Sequence, residues 1–164
     1  MTDTTTSTTP IYEARTAADT ACTRLRDPLS AVGIKLWVKY APFDIAGSGD
    51  AYAVCLEASD GWQRDQWHTG VRHAILVMNF YADHQRDADH RPVALNAHSR
   101  ALAMYERCDT LLDLQTSDTW TEVVTSRRQG EPQLFDVPDG DGAVMLSARY
   151  ELALFNSNGS DVVV

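Results

Sequence analysis

Residues 72–82 (RHAILVMNFYA) are apolar at nearly every position, and the length of this run limits what it can become. It is far shorter than the roughly 18 residues a helix needs to cross a bilayer. Its Ile, Val, Phe and Tyr favour a strand, and a strand apolar on both sides belongs in the middle of a sheet, covered on both faces. The rest of the chain is therefore expected to supply neighbouring strands and covering helices.

Two alternating segments precede the run. Val32, Ile34, Leu36, Val38 and Tyr40 alternate with Gly33, Lys35, Trp37 and Lys39, and Tyr52, Val54 and Leu56 alternate with Ala53, Cys55 and Glu57. A period of two is that of a strand with one buried face. The turn-forming residues 46–50 (AGSGD) between them predict a hairpin. Further on, residues 121–126 read as a short fourth strand and residues 127–142 as a long loop rich in Pro, Gly and Asp. Residues 143–155 read as a last strand with Val144, Leu146, Ala148, Tyr150, Leu152 and Leu154 on one face.

Two segments keep helical spacing instead. Ile11, Ala14, Ala18, Ala21 and Leu25 form a narrow stripe of mostly small residues, with Thr9 as N-cap, Pro10 in the first helical position and Glu13 in the first turn. Asp27-Pro28 is expected to end this helix, because the residue before proline avoids helical angles. Beyond Pro92, the residues Ala94, Ala97, Ala101, Met104, Tyr105, Cys108, Leu111 and Leu112 mark a longer helix. Strands and helices do not alternate regularly. The predicted class is α+β, a mixed and mainly antiparallel sheet of about five strands with two main helices packed on it. At 164 residues the chain suits one domain over 10–155, with a flexible Thr-rich tract at 1–9 and a tail at 156–164.

Fourteen Lys and Arg against 23 Asp and Glu leave a net charge of -9, so phosphate backbones and anionic membranes should repel the molecule. The N-terminal tract lacks the basic start and apolar run of a secretion signal. Cys22, Cys55 and Cys108 each lie in an apolar pattern and read as small core residues. Asp83, His84, Asp87, Asp89 and His90 are possible metal ligands, but their spacing matches no closed ligand set. Arg86 and Arg91 among them point to a solvated connector. Asp139-Gly140-Asp141-Gly142 begins like a calcium loop, yet lacks a third oxygen ligand before its glycine and has Tyr150 where a bidentate Glu is needed. No nucleophile elbow or phosphate loop occurs, and His68 and His98 stand alone. No catalysis, cofactor or metal is expected. Trp62 and Trp67, in a polar and Gly-flanked loop, are the candidate interface residues, since aromatics are enriched at protein contacts.

A short helix, three strands closing on RHAILVMNFYADHQRD, a helix NAHSRALAMYERCDTLLDL, and then EVVTSRRQGEPQLFDVPDGDGAVMLSARYELAL follow one another. This succession, over roughly residues 10–155, resembles the tail terminator proteins of long-tailed (siphovirus-type) bacteriophages, especially those of actinobacterial hosts. The resemblance implies a structural virion protein with a mixed sheet flanked by helices. It implies a ring of six copies at the head-proximal end of the tail tube, ending tube growth and joining tail to head. The partners it implies are further copies of the chain, the tail tube protein and a head–tail connector or stopper protein. Duplex DNA would pass through without specific binding, no membrane would be involved, and assembly would take place in the host cytoplasm.

An acidic subunit suits such a conduit, because it does not hold the phosphates that pass. The leading lumen-facing candidates are Asp136, Asp139 and Asp141, and the second group is Asp83, Asp87 and Asp89. Competing readings are another neck component, such as a head-completion or connector protein, and a cytoplasmic module binding a small molecule or peptide beside Trp62 and Trp67.

Overall fold

The computed structural model describes residues 16–41, 44–58, 71–114, 120–121, 123–138 and 141–155. Helix α1, Ala17–Ser30, opens with a capping box. The Thr16 hydroxyl accepts from the Asp19 N–H at 3.1 Å, and the Asp19 carboxylate accepts from the Thr16 N–H at 3.3 Å. The start expected at Thr9 and Pro10 lies outside the described residues. Ala18, Ala21 and Leu25 are buried as their spacing predicts. The helix does not stop at Asp27, however. It runs through Pro28 to Ser30: Pro28 forfeits the bond that an N–H there would give the carbonyl of residue 24, and the extra turn offsets this by burying Leu29 completely.

The main sheet contains β1 (Lys35–Val38), β2 (Ala51–Ala58), β3 (Val71–Ala82), β6 (Val123–Arg128), β7 (Gln133–Asp136) and β8 (Val144–Phe155). Its order is β1-β2-β3-β8-β6, with β7 also beside β8. Strand β3 is central, antiparallel to β2 and β8, as its apolar run predicts. Ala74, Leu76, Met78 and Phe80 point toward the helices and are wholly buried. The expected cover on both faces is only partly present, since Ile75, Val77 and Tyr81 on the opposite side are half-buried.

Two pairings differ from the sequence reading. β1 and β2 are parallel, with Lys35 opposite Tyr52 and Val38 opposite Cys55, and do not form a hairpin. Parallel neighbours need a connection of a dozen or so residues, which the intervening chain supplies after a left-handed Lys39 (φ 73°). Within that connection Ile45 packs on the sheet face away from the helices, buried against Tyr52, Val54 and Ala143. Tyr52 stacks on Tyr81 there, with ring centroids 5.1 Å apart. The expected 127–142 loop also contains a strand, for β7 lies along residues 144–147 of β8 just as β6 lies along residues 150–154. β6 and β7 thus form one interrupted edge.

Helix α2, Ala97–Leu112, begins later than its spacing suggests, because Pro92–Ala94 is β5, paired with β4 (Gln85–Arg86) in a separate two-stranded ribbon. Both helices pack on one face of the main sheet. Leu25, Leu29, Cys108 and Leu112 meet Phe80, Tyr150 and Leu152 in the principal core, and Phe80 meets Tyr105 edge-on at 6.2 Å. The class is α+β. Among the described residues no helix is long and apolar enough to cross a membrane.

Candidate functional site

The polar residues singled out in the sequence gather at one end of the main sheet, where β3 ends, β8 begins and α2 starts. Asp83 is the residue after β3 and is completely buried. Its Oδ2 accepts from the Gly49 N–H and from Arg86 Nε, both at 2.8 Å. Its Oδ1 accepts from the His84 N–H at 2.7 Å and from Arg86 Nη2 at 3.2 Å. Burial pushes this carboxyl up, but the Arg86 guanidinium and the Gly49 and His84 amides outweigh it and hold Asp83 below the ordinary aspartate range.

With each oxygen taking two donors, Asp83 has no lone pair left for a metal ion. Among the described residues no three His, Cys, Asp or Glu side chains are placed to hold one. Asp87 closes a turn, accepting from the Asp89 and Arg91 amides at 2.9 Å each. His84 Nδ1 accepts from the Ala97 N–H at 3.0 Å and so serves the first turn of α2. Arg86 reaches on to Asp141, with Nη2 3.0 Å from Oδ2, and Arg100 donates to the Gly49 and Asp83 carbonyls at 2.9 and 2.5 Å. Gly142 (φ +86°) completes the knot. A Cβ there would lie 2.6 Å from His84 Nε2, so glycine is required both by the backbone angle and by the contact.

Arg86 therefore joins the two acidic segments that the sequence offered separately. Asp87, Asp89 and Asp141 are exposed around one end of the sheet, and Asp136 is exposed on the edge strand β7. Asp83 has to be withdrawn as a surface acid, because it is sealed inside the ion pair. Asp139, Trp62 and Trp67 lie outside the described residues. The sequence carried a signal for the Asp83–Arg86 pair, a charge pair three residues apart directly after a buried strand, but not for its depth.

A second buried pair was not anticipated. Glu57 and Arg72, side chains 9% and 11% exposed, face one another from β2 and β3. Glu57 Oε2 also accepts from the Ala17 N–H at 2.5 Å, placing an anion at the start of α1 where the helix dipole favours it. The three cysteines are buried, and burial pushes the Cys55 and Cys108 thiols up to about 12, so neither is an activated nucleophile. An apolar depression of about 290 Å³ lies between Leu29, Val32, Ile34 and Met104. It holds no acid or base, and the nearby Arg107 is tied to the Pro28 carbonyl at 3.1 Å.

No protein-family model matches the sequence, and no curated protein matches it. Among solved structures, the chain is similar to one from the virion of a native gene transfer agent (GTA) particle. The likeness is one of fold. It extends over 82% of this chain and 90% of that one, at 17% identity and a TM-score of 0.50. The α+β arrangement is thus shared along nearly the whole of the virion chain, while the side chains are largely different.

Proposed function

We propose that the chain is a structural, non-enzymatic virion protein of a phage-like particle. In the finer reading it is a tail terminator: a ring of six copies at the head-proximal end of the tail tube that ends tube growth and binds the head–tail connector. The observation that carries this is the fold likeness to a chain of a gene transfer agent virion, which extends over 90% of that chain.

The chemistry of the polar knot agrees. Asp83, Arg86, His84 and Arg100 spend their hydrogen bonds on holding loops together. The exposed Asp87, Asp89 and Asp141 leave one end of each subunit acidic. In a ring, copies of that end form a negative belt past which duplex DNA moves without adhering.

The test is to purify the encoding particles and label them with antibody against this chain. Gold at the junction of head and tail, together with tails of uncontrolled length when the gene is removed, is the expected result. Absence from the particle sinks the virion reading. Label on the head side of the junction, with tails of normal length after deletion, replaces the terminator with another neck component.

A further inference from the structure

The two edges of the main sheet are complementary, and we infer that they pair, β1 of one copy adding to β7 of the next. The inference deepens the ring reading above, which needs a contact between unlike surfaces. It stands on the sheet itself.

Among the described residues β1 and β7 are both edge strands, and both are four residues long. The Lys39 N–H donates to the Cys55 carbonyl, so the alternation of a strand turns the backbone groups of Leu36 and Val38 away from β2. The Val137 N–H donates to the Ala143 carbonyl, which in the same way turns those of Leu134 and Asp136 away from β8. Each edge thus presents two outward residues with both their donors and acceptors. Unpaired edges of this kind are templates for another strand.

Charge selects which edge meets which. The only lysines in the sequence are Lys35 and Lys39, and both are exposed at the ends of β1. β7 is bracketed by exposed Glu131 and Asp136. Two β1 edges repel one another, and so do two β7 edges, while a β1 edge attracts a β7 edge. Lysines on an edge strand commonly serve to prevent pairing, and here they prevent only the like pairing. Apolar area is also waiting on the acidic edge, where Leu134 and Phe135 are 45% and 43% exposed.

Direction and register follow. β1 runs with β2, β2 against β3, β3 against β8, and β8 against β7, so β1 and β7 of one subunit point opposite ways. Rotation about an axis along the strands keeps those directions, and the contact between neighbours is antiparallel. Matching outward backbone groups then sets Leu36 opposite Asp136 and Val38 opposite Leu134. In that register Trp37 meets Phe135 as an aromatic cross-strand pair, Lys39 is one diagonal step from Glu131 on the same face, and Lys35 falls opposite Val137, next along the strand from Asp136. Because the two edges differ, the contact is head-to-tail and repeats until a ring closes.

The experiment uses the full chain and reads its mass by native mass spectrometry and sedimentation. The unmodified protein is expected to form a closed oligomer. K35E/K39E and E131K/D136K are each expected to weaken association by about tenfold or more, and the fourfold variant to restore it. Leu134→Pro removes an N–H that β8 does not use, so it is expected to dissociate the oligomer without changing the far-ultraviolet circular dichroism. A protein that stays monomeric at all concentrations overturns the inference, and so does an oligomer indifferent to both charge reversals. The surface charge variants decide the matter if the proline variant does not fold. Particle labelling judges the virion reading separately: a chain found at the head–tail junction whose assembly ignores these edges refutes the edge pairing alone.

Discussion

Replacing Asp83 by Asn is the sharpest probe of how this fold is held. The carboxylate takes four donors in full burial, two of them from an Arg86 whose side chain is only 4% exposed. An amide offers one accepting oxygen and turns its NH₂ toward groups that are already donors, leaving the guanidinium only the exposed Asp141 as a counter-charge. Breaking a buried pair from one side costs about 3–5 kcal/mol. For a chain of this size that lowers the melting temperature by roughly 10 °C.

Urea unfolding of the variant and the unmodified protein at neutral pH, followed by tryptophan fluorescence, measures the gap. Its pH dependence has a defined sign. Asp83 is held below its ordinary value of 3.8 in the folded state, so its contribution is present above that value and is lost as pH falls through the lower folded one. The gap should narrow as the solution is acidified below about pH 4. A combined Asp83→Leu and Arg86→Met replacement should lose less than Asp83→Asn, because it leaves no orphaned charge. A gap under about 1 kcal/mol at neutral pH, or one that does not change on acidification, would show that the pair is not the fastening described.

Gly142→Ala should destabilise the protein by about 1–3 kcal/mol, from the strained backbone angle and the displaced His84, and thermal unfolding reads this directly. Cys55 and Cys108, with thiols pushed up to about 12 by burial, should resist a disulfide reagent at pH near 8 in the native state and react at once in denaturant; rapid native labelling of either would contradict their place in the core. Thr16→Ala removes the hydroxyl of the α1 capping box and should cost about 1 kcal/mol in urea unfolding.

Local pattern carried much of the fold. The stripe Ala18, Ala21 and Leu25 and the alternating residues of β8 from Val144 to Leu154 are buried as their spacing demands, because periods of 3.6 and 2 are properties of the backbone alone. The central place of β3 was legible for the same reason, since a strand apolar on both sides has nowhere else to go. The pattern was silent on partners. Nothing in the alternation of β1 says whether β2 runs with it or against it, and the connection that decides this gains its stability from Ile45 packing on the far face. β7 went unseen because Gln133–Asp136 has no buried side and is a strand only through β8.

The polar residues divide along the same line. That Asp83 and Arg86 attract is set by their charges and three-residue spacing. That the pair is sealed from water, and so fixes the fold instead of presenting charge outward, depends on Gly49, Arg100 and Asp141 arriving from elsewhere in the chain. The sequence by itself determined which stretches could be helix or strand, which faces were apolar and how much negative charge the molecule carries, since these need only neighbours along the backbone. Strand direction, the two unlike edges and the depth of each charge were decided by tertiary structure, because burial and pairing are relations between residues distant in sequence, and their energies exist only once those residues meet.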